Sequence, residues 1–484
     1  MAESTHPYRH TKIIATLGPA TESEAKLTEL ISSGVDVFRL NMAHATPEWV
    51  HELVRRVRSV SDSVGRQVAI MMDVKGPEIR TGTLEAPIRL QTGGRIRFCV
   101  DPTPLEVPTP AITADQDVPV VAVNYPNLPR DVQVGATVLV DSGLMRFKIL
   151  EKDDRQILCE VLTPGTLESR RHINLPGVKV TLPAITPKDE LDLLAGIEAG
   201  IDFVALSFVR ERSDVRELRE FLVRHGSSAR IISKIEEQAG VRNMHEIIEE
   251  SDAVMIARGD LGIEVNYQEL PLIQTELVHA CLAEGKPVIV ATHLLESMIQ
   301  SPMPTRAEIS DVSNAVRELA DAVMLSGETT VGAYPLESVK VLKNIIQSLE
   351  PTVGDSFNSC IELREPKAKM LRSSAVLAQE LGDSGIIVFT RSGFLPYVLA
   401  ALRPKGVPIY AFTDIESTFR QLLLPWGVEP FLMQFSDDPE QTIQDALAYL
   451  KKSEWCKPGN WLVVITNVLA NDQVIDTMQL RQVE

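Results

Sequence analysis

The segment at residues 230–241, RIISKIEEQAGV, ends an apolar run with a lysine and a glutamate two residues apart. Side chains along a strand alternate between its two faces, so Lys234 and Glu236 point the same way if this run is a strand. An ammonium and a carboxylate would then share one small site. A surface ion pair at a strand end explains the same pattern, so the rest of the chain must decide between the two.

A second carboxylate, Asp260, follows the next apolar run in the segment ARGDLG. Two carboxylates completed by substrate oxygens form a usual Mg²⁺ site, because this ion keeps an octahedral shell of oxygen ligands. Gly259 allows a ligand to approach the backbone closely, and a helix that starts there turns its first N–H groups toward an anion. Glu236 and Asp260 are therefore predicted to chelate one divalent cation.

Cationic side chains follow these and other apolar runs, namely Arg39, Lys75, Arg80 and Lys234. Phosphate is the ligand that these side chains favour, because arginine can donate two parallel hydrogen bonds to it and lysine offers a compact positive charge. Cations beside a two-carboxylate metal site fit phosphoryl transfer, or an enolate held by Mg²⁺. The sequence contains neither GxxxxGK[ST] nor GxGxxG, so it indicates neither a P-loop nor a Rossmann dinucleotide site.

Eight short apolar runs must carry these residues, and an amphipathic helical pattern follows each run. They begin at Lys12, Val35, Val68, Ile201, Arg230, Ala253, Pro287 and Asp321. Apolar strands that alternate with helices predict a parallel sheet covered on both faces, and eight units predict a closed (β/α)8 TIM barrel. A long doubly wound sheet is the alternative.

Polar residues follow six of the eight runs, which in such a barrel puts them at one rim, the usual place of the active site. We expect the opposite, N-terminal ends of the strands to lack such charged and polar residues. The residues at the six ends are Arg39, Asn41 and His44; Asp73, Lys75, Glu78 and Arg80; Lys234 and Glu236; Arg258, Gly259 and Asp260; Thr292 and His293; and Ser326 and Glu328.

Two further domains are predicted. Residues 83–182 carry Pro and Gly at short spacing with strand-like pieces, which predicts an all-β domain, a small β-barrel, inserted as a lid over the rim. Residues 351–484 alternate helix and strand again and predict a separate, open α/β domain. The catalytic barrel then comprises residues 1–82 and 183–350.

Composition limits the classes of partner and location. The net charge of −18 disfavours nucleic acid and anionic membranes, since both attract basic surfaces. The five cysteines have no paired spacing, which fits a reducing compartment better than a disulfide framework or a zinc site. The N-terminus has no apolar signal region, and no apolar run reaches membrane-spanning length. We expect a soluble cytoplasmic protein without nucleic-acid or membrane partners.

Nine motifs occur in order along the chain: TKIIATLGPAT, FRLNMAHA, MDVKGPEIRTG, INLPG, ISKIE, MIARGDLGIE, ATHLLESM, PTRAEISDV and MLSGETTVGAYP. In order and spacing they resemble those of the pyruvate kinase family. The resemblance covers nearly the whole chain, although the C-terminal domain matches more loosely. It implies the final step of glycolysis, phosphoryl transfer from phosphoenolpyruvate to ADP giving pyruvate and ATP, with Mg²⁺ and usually K⁺ as cofactors. It also implies a homotetramer under allosteric control.

The resemblance implies a role for each matching residue. Lys234 would neutralise the transferring phosphoryl group, and Glu236 and Asp260 would hold Mg²⁺. The other implied roles are binding of phosphoenolpyruvate by Arg39, Lys234, Gly259, Asp260 and Thr292; binding of the nucleotide by His44, Arg80, Arg171 and Asn174; binding of K⁺ by Asn41, Asp73 and the Val74 carbonyl; and proton delivery to the enolate through Thr292, Ser326 or Glu328.

The chain departs from the family pattern at several positions. Ala43 stands where the family has a serine that binds K⁺, which leaves K⁺ dependence open. His293 replaces a glutamine, and Glu237 and Ala239 replace an asparagine and a glutamate. Arg170 and Arg171 replace a lysine pair in the inserted domain, which keeps the charge and changes the geometry.

The C-terminal domain contains FTRSGFLP, a strand end before a helix. The residues Thr390, Arg391, Ser392 and Gly393 could cradle the phosphate of an effector, or they could form an ordinary capped turn. They resemble the family's sugar-phosphate effector loop only in part, because Phe394 and Leu395 break the polar pattern. Regulation is expected, and the effector cannot be read from the sequence.

Two rival functions remain open at this point. A Mg²⁺-dependent lyase or aldolase on the same barrel would use Glu236 and Asp260 to hold a pyruvate enolate, but it leaves Lys75, Arg80 and the inserted domain without a role. A catalytically silent sensor of sugar phosphates would use only the C-terminal domain, but it does not explain why Lys234, Glu236 and Asp260 are all present.

Overall fold

The predicted closed barrel of eight parallel strands is confirmed. The computed structural model describes residues 8–43, 45–100, 118–353, 361, 363, 366–470 and 473–484. The barrel begins with β1 (Lys12–Thr16), α1 (Glu24–Ser33), β2 (Val37–Asn41), α2 (Pro47–Val64) and β3 (Ala69–Asp73). Every residue of β1 and β3 is buried, because side chains fill the barrel interior and helices cover its outer face.

An inserted β domain interrupts the barrel after β3, as predicted. Its elements are β4 (Ile88–Leu90), β5 (Arg95–Cys99), β6 (Val120–Ala122), α3 (Leu128–Asp131), β7 (Thr137–Val140), β8 (Met145–Lys152), β9 (Gln156–Val161), β10 (Gly165–Leu167) and β11 (Ile173–Asn174). A six-stranded sheet has the order β11-β7-β8-β9-β5-β6, and β4 pairs with β10. The domain has its own apolar core, in which Phe98 meets Phe147 edge to face. Its bounds at residues 83 and 182 stay a prediction.

The chain then completes the barrel. Its elements are α4 (Pro187–Ala199), β12 (Phe203–Leu206), α5 (Arg212–Arg224), β13 (Arg230–Ile235), α6 (Gln238–Arg242), α7 (Met244–Glu250), β14 (Ala253–Ala257), α8 (Arg258–Glu264), α9 (Leu270–Ala283), β15 (Val288–Ala291), α10 (Arg306–Arg317), β16 (Ala322–Leu325), α11 (Gly327–Thr330) and α12 (Pro335–Leu349). The strand order is β1-β16-β15-β14-β13-β12-β3-β2, and β1 pairs with both β2 and β16 to close the barrel.

Local sequence sets where several barrel helices begin and end. Thr186 and Thr305 each cap a helix and form a capping box with an acidic residue three positions on. Gly34 ends α1 with a φ of 107°, a left-handed conformation that favours glycine. These signals fix where the helices begin and end, and the N-caps therefore fix where the preceding loops end.

The predicted C-terminal α/β domain is also present. Its elements are α13 (Pro366–Leu381), β17 (Ser384–Phe389), α14 (Phe394–Ala401), β18 (Ile409–Thr413), α15 (Glu416–Gln421), β19 (Val428–Leu432), α16 (Pro439–Lys452), β20 (Trp461–Ala470) and β21 (Gln473–Gln482). The sheet order is β19-β18-β17-β20-β21, in which β21 alone runs antiparallel to its neighbour. The boundary predicted at residue 351 stays a prediction.

The C-terminal domain packs against the N-terminal ends of the barrel strands. Lys12 Nζ donates to the Val428 carbonyl at 2.7 Å, and Asp321 Oδ1 accepts from the Trp426 amide at 2.9 Å. Arg420 forms an ion pair of 2.7 Å with Asp202. This end of the barrel is therefore closed, and the opposite rim is left for a ligand.

The expectation that the N-terminal strand ends lack charge was wrong. Asp36, Asp202 and Asp321 all lie there, and each is buried and paired with at least one arginine. These charges join the barrel to its own helices and to the C-terminal domain. Charge at a strand end is therefore not by itself a sign of a catalytic site.

Asp36 shows how such a charge is kept in the interior. Burial by itself raises the pKa of its carboxyl group, but Arg9, Lys12, Arg66 and the Ile13 amide outweigh burial and lower the pKa below its ordinary value of 3.8. A carboxyl group with a lowered folded-state pKa stabilises the protein above the unfolded-state pKa, and this stabilisation disappears as the pH falls through the folded-state value.

We predict that Asp36→Asn lowers the free energy of unfolding at pH 7 by about 3–5 kcal/mol, because Arg9 and Arg66 lose their buried counter-charge. The loss should be constant above about pH 4 and shrink below it, where wild-type Asp36 also becomes protonated. Urea unfolding followed by circular dichroism at several pH values measures this. The exposed Asp62, on the same side of the barrel, gives the control Asp62→Asn; an equal loss in both variants would contradict the prediction.

Candidate active site

The rim of the barrel holds a buried ammonium group between two carboxylates. Lys234 Nζ lies 3.0 Å from Asp73 Oδ1, 2.9 Å from Glu236 Oε1 and 2.7 Å from Ser207 Oγ. Only 10% of the Lys234 side chain is exposed, so this is no surface ion pair. The alternation along β13 thus puts Lys234 and Glu236 in one site, and Asp73 arrives from β3.

The electrostatics of this cluster keep the lysine charged. Burial by itself lowers the pKa of Lys234, but the carboxylates of Asp73 and Glu236 outweigh it and raise the pKa to about 12. Burial of the Glu236 carboxyl group, together with the nearby Asp260 and Asp73 and opposed by Lys234, raises its pKa to about 7. A divalent metal bound by Glu236 and Asp260 would offset the repulsion between these two carboxyl groups.

A second cation shares the Asp73 carboxylate. Arg39 Nε donates to Asp73 Oδ2 at 2.7 Å, and Arg39 Nη1 donates to Thr16 Oγ1 at 3.2 Å. Burial raises the pKa of Asp73, whereas Arg39 and Lys234 more than compensate and lower it. Asp73 therefore fixes two cations side by side at the rim, both suited to an anionic substrate.

Gly259 and Thr292 meet beside this cluster. The Gly259 amide donates to Thr292 Oγ1 at 2.8 Å, and Thr292 and His293 both have left-handed backbones with φ of 64° and 54°. An added Cβ on Gly259 would lie 3.5 Å from Thr292 Oγ1, so protein packing alone does not demand glycine here. The Gly259 amide, expected to face an anion, is engaged with Thr292 instead.

Arg258 does not belong to the site, although it follows the same strand as Asp260. Its guanidinium donates to the carbonyl groups of Ala291 and Thr292 and to Asp311 Oδ1 at 2.8 Å. Arg258 therefore turns away from the rim and holds the β15 end in place from behind.

Glu328 joins two rim loops by hydrogen bonds to their backbone and is called a clasp below. Its Oε1 accepts from the Leu295 amide at 3.1 Å, and its Oε2 accepts from the Ser326 amide at 2.8 Å. Ser326 Oγ is buried and has no hydrogen-bond partner within the described residues. Of the three residues considered for proton delivery, Glu328 is thus engaged with backbone amides, Thr292 Oγ1 with Gly259 and the Ala291 carbonyl, and Ser326 is available.

Two models of known families match this chain in sequence. Residues 8–339 match the model described as "Pyruvate kinase, barrel domain", and residues 368–480 match "Pyruvate kinase, alpha/beta domain".

The chain belongs to the pyruvate kinase family.

Individual pyruvate kinases are similar over nearly the full length. Plastidial pyruvate kinase 2 of Arabidopsis thaliana is 39% identical over 484 residues, which span 98% of this chain and 81% of that protein. The pyruvate kinase of Geobacillus stearothermophilus is 41% identical over 466 residues, 95% of this chain and 77% of that protein. The crystal structure of a pyruvate kinase from Cryptosporidium parvum has a TM-score of 0.91 at 34% identity and covers 98% of this chain and 96% of that chain. The predicted fold and enzyme class, those of a pyruvate kinase, are therefore confirmed.

Within the described part of the chain, no helix is both long and apolar enough to cross a membrane. The relatives include plastidial as well as bacterial pyruvate kinases, so the cytoplasmic location stays a prediction.

Of the residues predicted to bind the nucleotide, Arg80 follows β3, and Arg171 and Asn174 belong to the inserted domain. Arg80 forms a bidentate pair with Glu78 at 2.7 and 3.0 Å, and Lys75 lies 3.0 Å from the same carboxylate. Arg171 pairs with Asp141 and Glu168, and is not joined to Arg80. His44 lies outside the described residues.

Asn174 links the inserted domain to the barrel. Its side chain lies beside the Glu264 carboxyl group at the end of α8, the helix that carries Asp260. Burial, joined by the nearby Asp260 and opposed by Asn174, raises the pKa of Glu264 to about 7. The helix that bears a predicted metal ligand is therefore in contact with the predicted lid.

The residues implied for K⁺ are partly occupied by protein groups. Asn41 Oδ1 accepts from the Ala43 amide at 3.2 Å, and the Val74 carbonyl accepts from Ser207 Oγ at 2.7 Å. Asp73 holds Lys234 and Arg39. An amide oxygen, a carboxylate and a carbonyl are suitable K⁺ ligands, and Ala43 adds no side-chain oxygen.

The segment at 390–393 folds as a turn whose polar groups are engaged with the protein. The Gly393 amide donates to Thr390 Oγ1 at 2.9 Å, and Gly393 has a φ of 81° before α14. Arg391 is largely exposed and forms a bidentate pair with Asp414, while the Ser392 carbonyl accepts from Arg230 Nη2 at 2.6 Å. Both interpretations of this loop, phosphate cradle and capped turn, stay open.

Sequence reasoning missed Thr16 and Ser207, which stand at the ends of the first and fourth strands. Both were overlooked because a serine or threonine inside an apolar run carries no conspicuous charge. The rule that pointed to the other six strand ends applies to these two as well, since all eight C-terminal ends meet at one rim.

We predict that Glu328→Gln lowers the free energy of unfolding by about 1–3 kcal/mol, because the new NH₂ group must face one of two backbone donors and leaves it unsatisfied. Urea unfolding followed by circular dichroism measures the change. Glu296, which is 63% exposed, offers the control Glu296→Gln; an equal effect in the control would show that Glu328 is not a clasp.

Proposed function

We propose that this chain transfers the phosphoryl group of phosphoenolpyruvate to ADP, giving pyruvate and ATP. One observation carries the proposal: in a pyruvate kinase family barrel, a buried and charged Lys234 lies against Asp73 and Glu236 at the rim, with Asp260 nearby. Phosphoryl transfer needs positive charge fixed in advance where negative charge accumulates.

The site residues suggest a division of labour. Arg39 and Lys234, both fixed by Asp73, would orient the phosphate and neutralise the transferring group. Gly259, Asp260 and Thr292 would line the pocket of the carboxylate and enolate. Arg80, Arg171, Asn174 and His44 would meet the nucleotide. Ser326, whose buried hydroxyl has no hydrogen-bond partner within the described residues, is one of three candidates, with Thr292 and Glu328, to deliver the enolate proton.

Glu236 and Asp260 would hold Mg²⁺. Burial and the nearby carboxylates of Asp260 and Asp73 raise the pKa of Glu236 although Lys234 opposes them, and a divalent cation would favour the ionised carboxylate. A bound Mg²⁺ would stabilise negative charge on the enolate and phosphoryl oxygens. Substrate and water would complete its shell, since two carboxylates supply only part of an octahedron.

Asn41, Asp73 and the Val74 carbonyl would bind K⁺. Because Ala43 replaces the serine of the family pattern, this site has one K⁺ ligand fewer. A weaker K⁺ requirement is therefore part of the proposal. The proposal also includes regulation by a phosphorylated effector at residues 390–393 and a homotetrameric assembly, which rest on the family resemblance. A cytoplasmic location is part of it as well and rests on the composition of the sequence.

The lyase and the silent sensor are the two rival functions that the sequence left open, and one assay tests the proposal against both. Formation of ATP from phosphoenolpyruvate and ADP, with and without Mg²⁺, supports the proposal. Enolate chemistry without ATP formation would favour the lyase, and the absence of both reactions would favour the sensor.

We predict that Lys234→Met lowers kcat by on the order of 10²–10³-fold while KM for phosphoenolpyruvate changes little, because the charge acts mainly in the transition state. Steady-state kinetics at saturating Mg²⁺ and K⁺ measure this. Lys26→Met, on the exposed face of α1, is the control and should keep wild-type kinetics. A large rise in KM at constant kcat would show that the role of Lys234 is misassigned.

We predict that Ala43→Ser lowers the K⁺ concentration needed for half-maximal activity, because the new hydroxyl restores a ligand. A K⁺ titration at constant ionic strength measures it, with K⁺-induced thermal stabilisation as a second readout. Ala45→Ser, two residues further on, is the matched control. An unchanged K⁺ response in Ala43→Ser would place residue 43 outside the monovalent site.

A further inference from the structure

We propose that Ser207 is a positioning residue of the reaction, whose hydroxyl fixes the direction in which Lys234 presents its ammonium group. This inference rests on the proposed function, because it assigns Ser207 to the lysine that neutralises the phosphoryl group. Ser207 itself would touch neither substrate nor metal.

A directed pair of hydrogen bonds carries the inference. Ser207 Oγ has two acceptors within reach of its single proton, the Val74 carbonyl at 2.7 Å and Asp73 Oδ1 at 3.3 Å. The shorter bond assigns the proton to Val74, so a lone pair of the oxygen faces Lys234. Lys234 Nζ donates to that oxygen at 2.7 Å. The Val74 carbonyl therefore sets the orientation of the hydroxyl, and the hydroxyl in turn sets the orientation of the ammonium.

The ammonium has three N–H groups and three acceptors. Two acceptors are carboxylates, on Asp73 and Glu236, and the third is Ser207. Glu236 is also the proposed Mg²⁺ ligand, so Asp73 and Ser207 are the acceptors that can remain with the lysine. With two N–H groups held at fixed positions, the third has a defined direction toward a phosphoryl oxygen.

The surrounding backbone is built to keep Ser207 in place. Ser207 is 3% exposed and follows β12 directly. A Cβ on Gly76 would come within 2.9 Å of Ser207 Cβ, so the β3 loop closes tightly over it. The next residue, Phe208, has a φ of 54° and turns its amide onto Glu236 Oε2 at 2.8 Å. One short turn thus holds both the catalytic lysine and a metal-binding carboxylate.

Ser207→Ala tests the role most directly, in the full-length enzyme with saturating Mg²⁺ and K⁺. A hydrogen bond to a charged group contributes about 1.5–3 kcal/mol, so kcat should fall by about 10–100-fold if the loss appears in the transition state. KM for phosphoenolpyruvate should stay within about 3-fold, because Arg39 and Thr292 are untouched. An unchanged kcat would overturn the inference.

Two matched variants separate the hydroxyl from its volume and from burial. Ser207→Cys keeps the shape but has a weak acceptor, so it should lose nearly as much kcat as Ser207→Ala; wild-type kcat in Ser207→Cys would overturn the inference. Ser61→Ala removes another fully buried hydroxyl, one with no partner among the described residues, and should keep wild-type kinetics.

A double mutant distinguishes positioning of Lys234 from a general structural role. In a Lys234→Met background, Ser207→Ala should lower kcat far less than it does in the wild type, because the group it positions is gone. Equal losses in both backgrounds would overturn the inference. Wild-type enzyme that forms no ATP would refute the proposed function instead, so the two failures are distinguishable.

Discussion

The rim of this barrel depends on the compensation of one buried ammonium group. Desolvation opposes the charge on Lys234, and the carboxylates of Asp73 and Glu236 more than reverse that effect. The compensation requires β3 and β13 to end at the same height, although β12 separates them in the barrel. The register of β12 with both neighbours provides this alignment, and the β12 end also supplies Ser207. The strand register that closes the barrel therefore also determines the charge state of the site.

Both ends of the barrel carry buried charges, but they use them differently. At the N-terminal end, Asp202 and Asp321 each bind a backbone amide of the barrel and an arginine of the C-terminal domain. Those charges are satisfied within the protein and covered by it. At the rim, Glu236 and Asp260 repel each other, and the Ser326 hydroxyl is unpartnered within the described residues. The Asp202 and Asp321 carboxylates are thus each paired with an arginine of the C-terminal domain, whereas Glu236 has the like-charged Asp260 near it as well as its partner Lys234.

Residues that only hold the rim loops in place are easily mistaken for residues that take part in the reaction. Glu328 and Arg258 are charged residues at strand ends, yet both bind backbone groups and fix loops. Ser207 is an uncharged residue in an apolar run, yet it touches the lysine at the centre of the site. Residue type at a strand end therefore does not by itself give the role of a residue, which depends on the groups that its side chain contacts.

The sequence by itself determined the strand-helix alternation, the eight-stranded barrel, the two further domains and the common position of Lys234 and Glu236, because periodicity and capping are local properties. Its nine family motifs also pointed to a pyruvate kinase. Only the tertiary structure decided that Asp73, 161 residues from Lys234, shares its charge between two cations, that Ser207 completes the shell, and that Glu328 and Arg258 serve as supports. These contacts depend on strand register and on loop conformations such as the left-handed turn at Phe208, which short-range patterns do not encode.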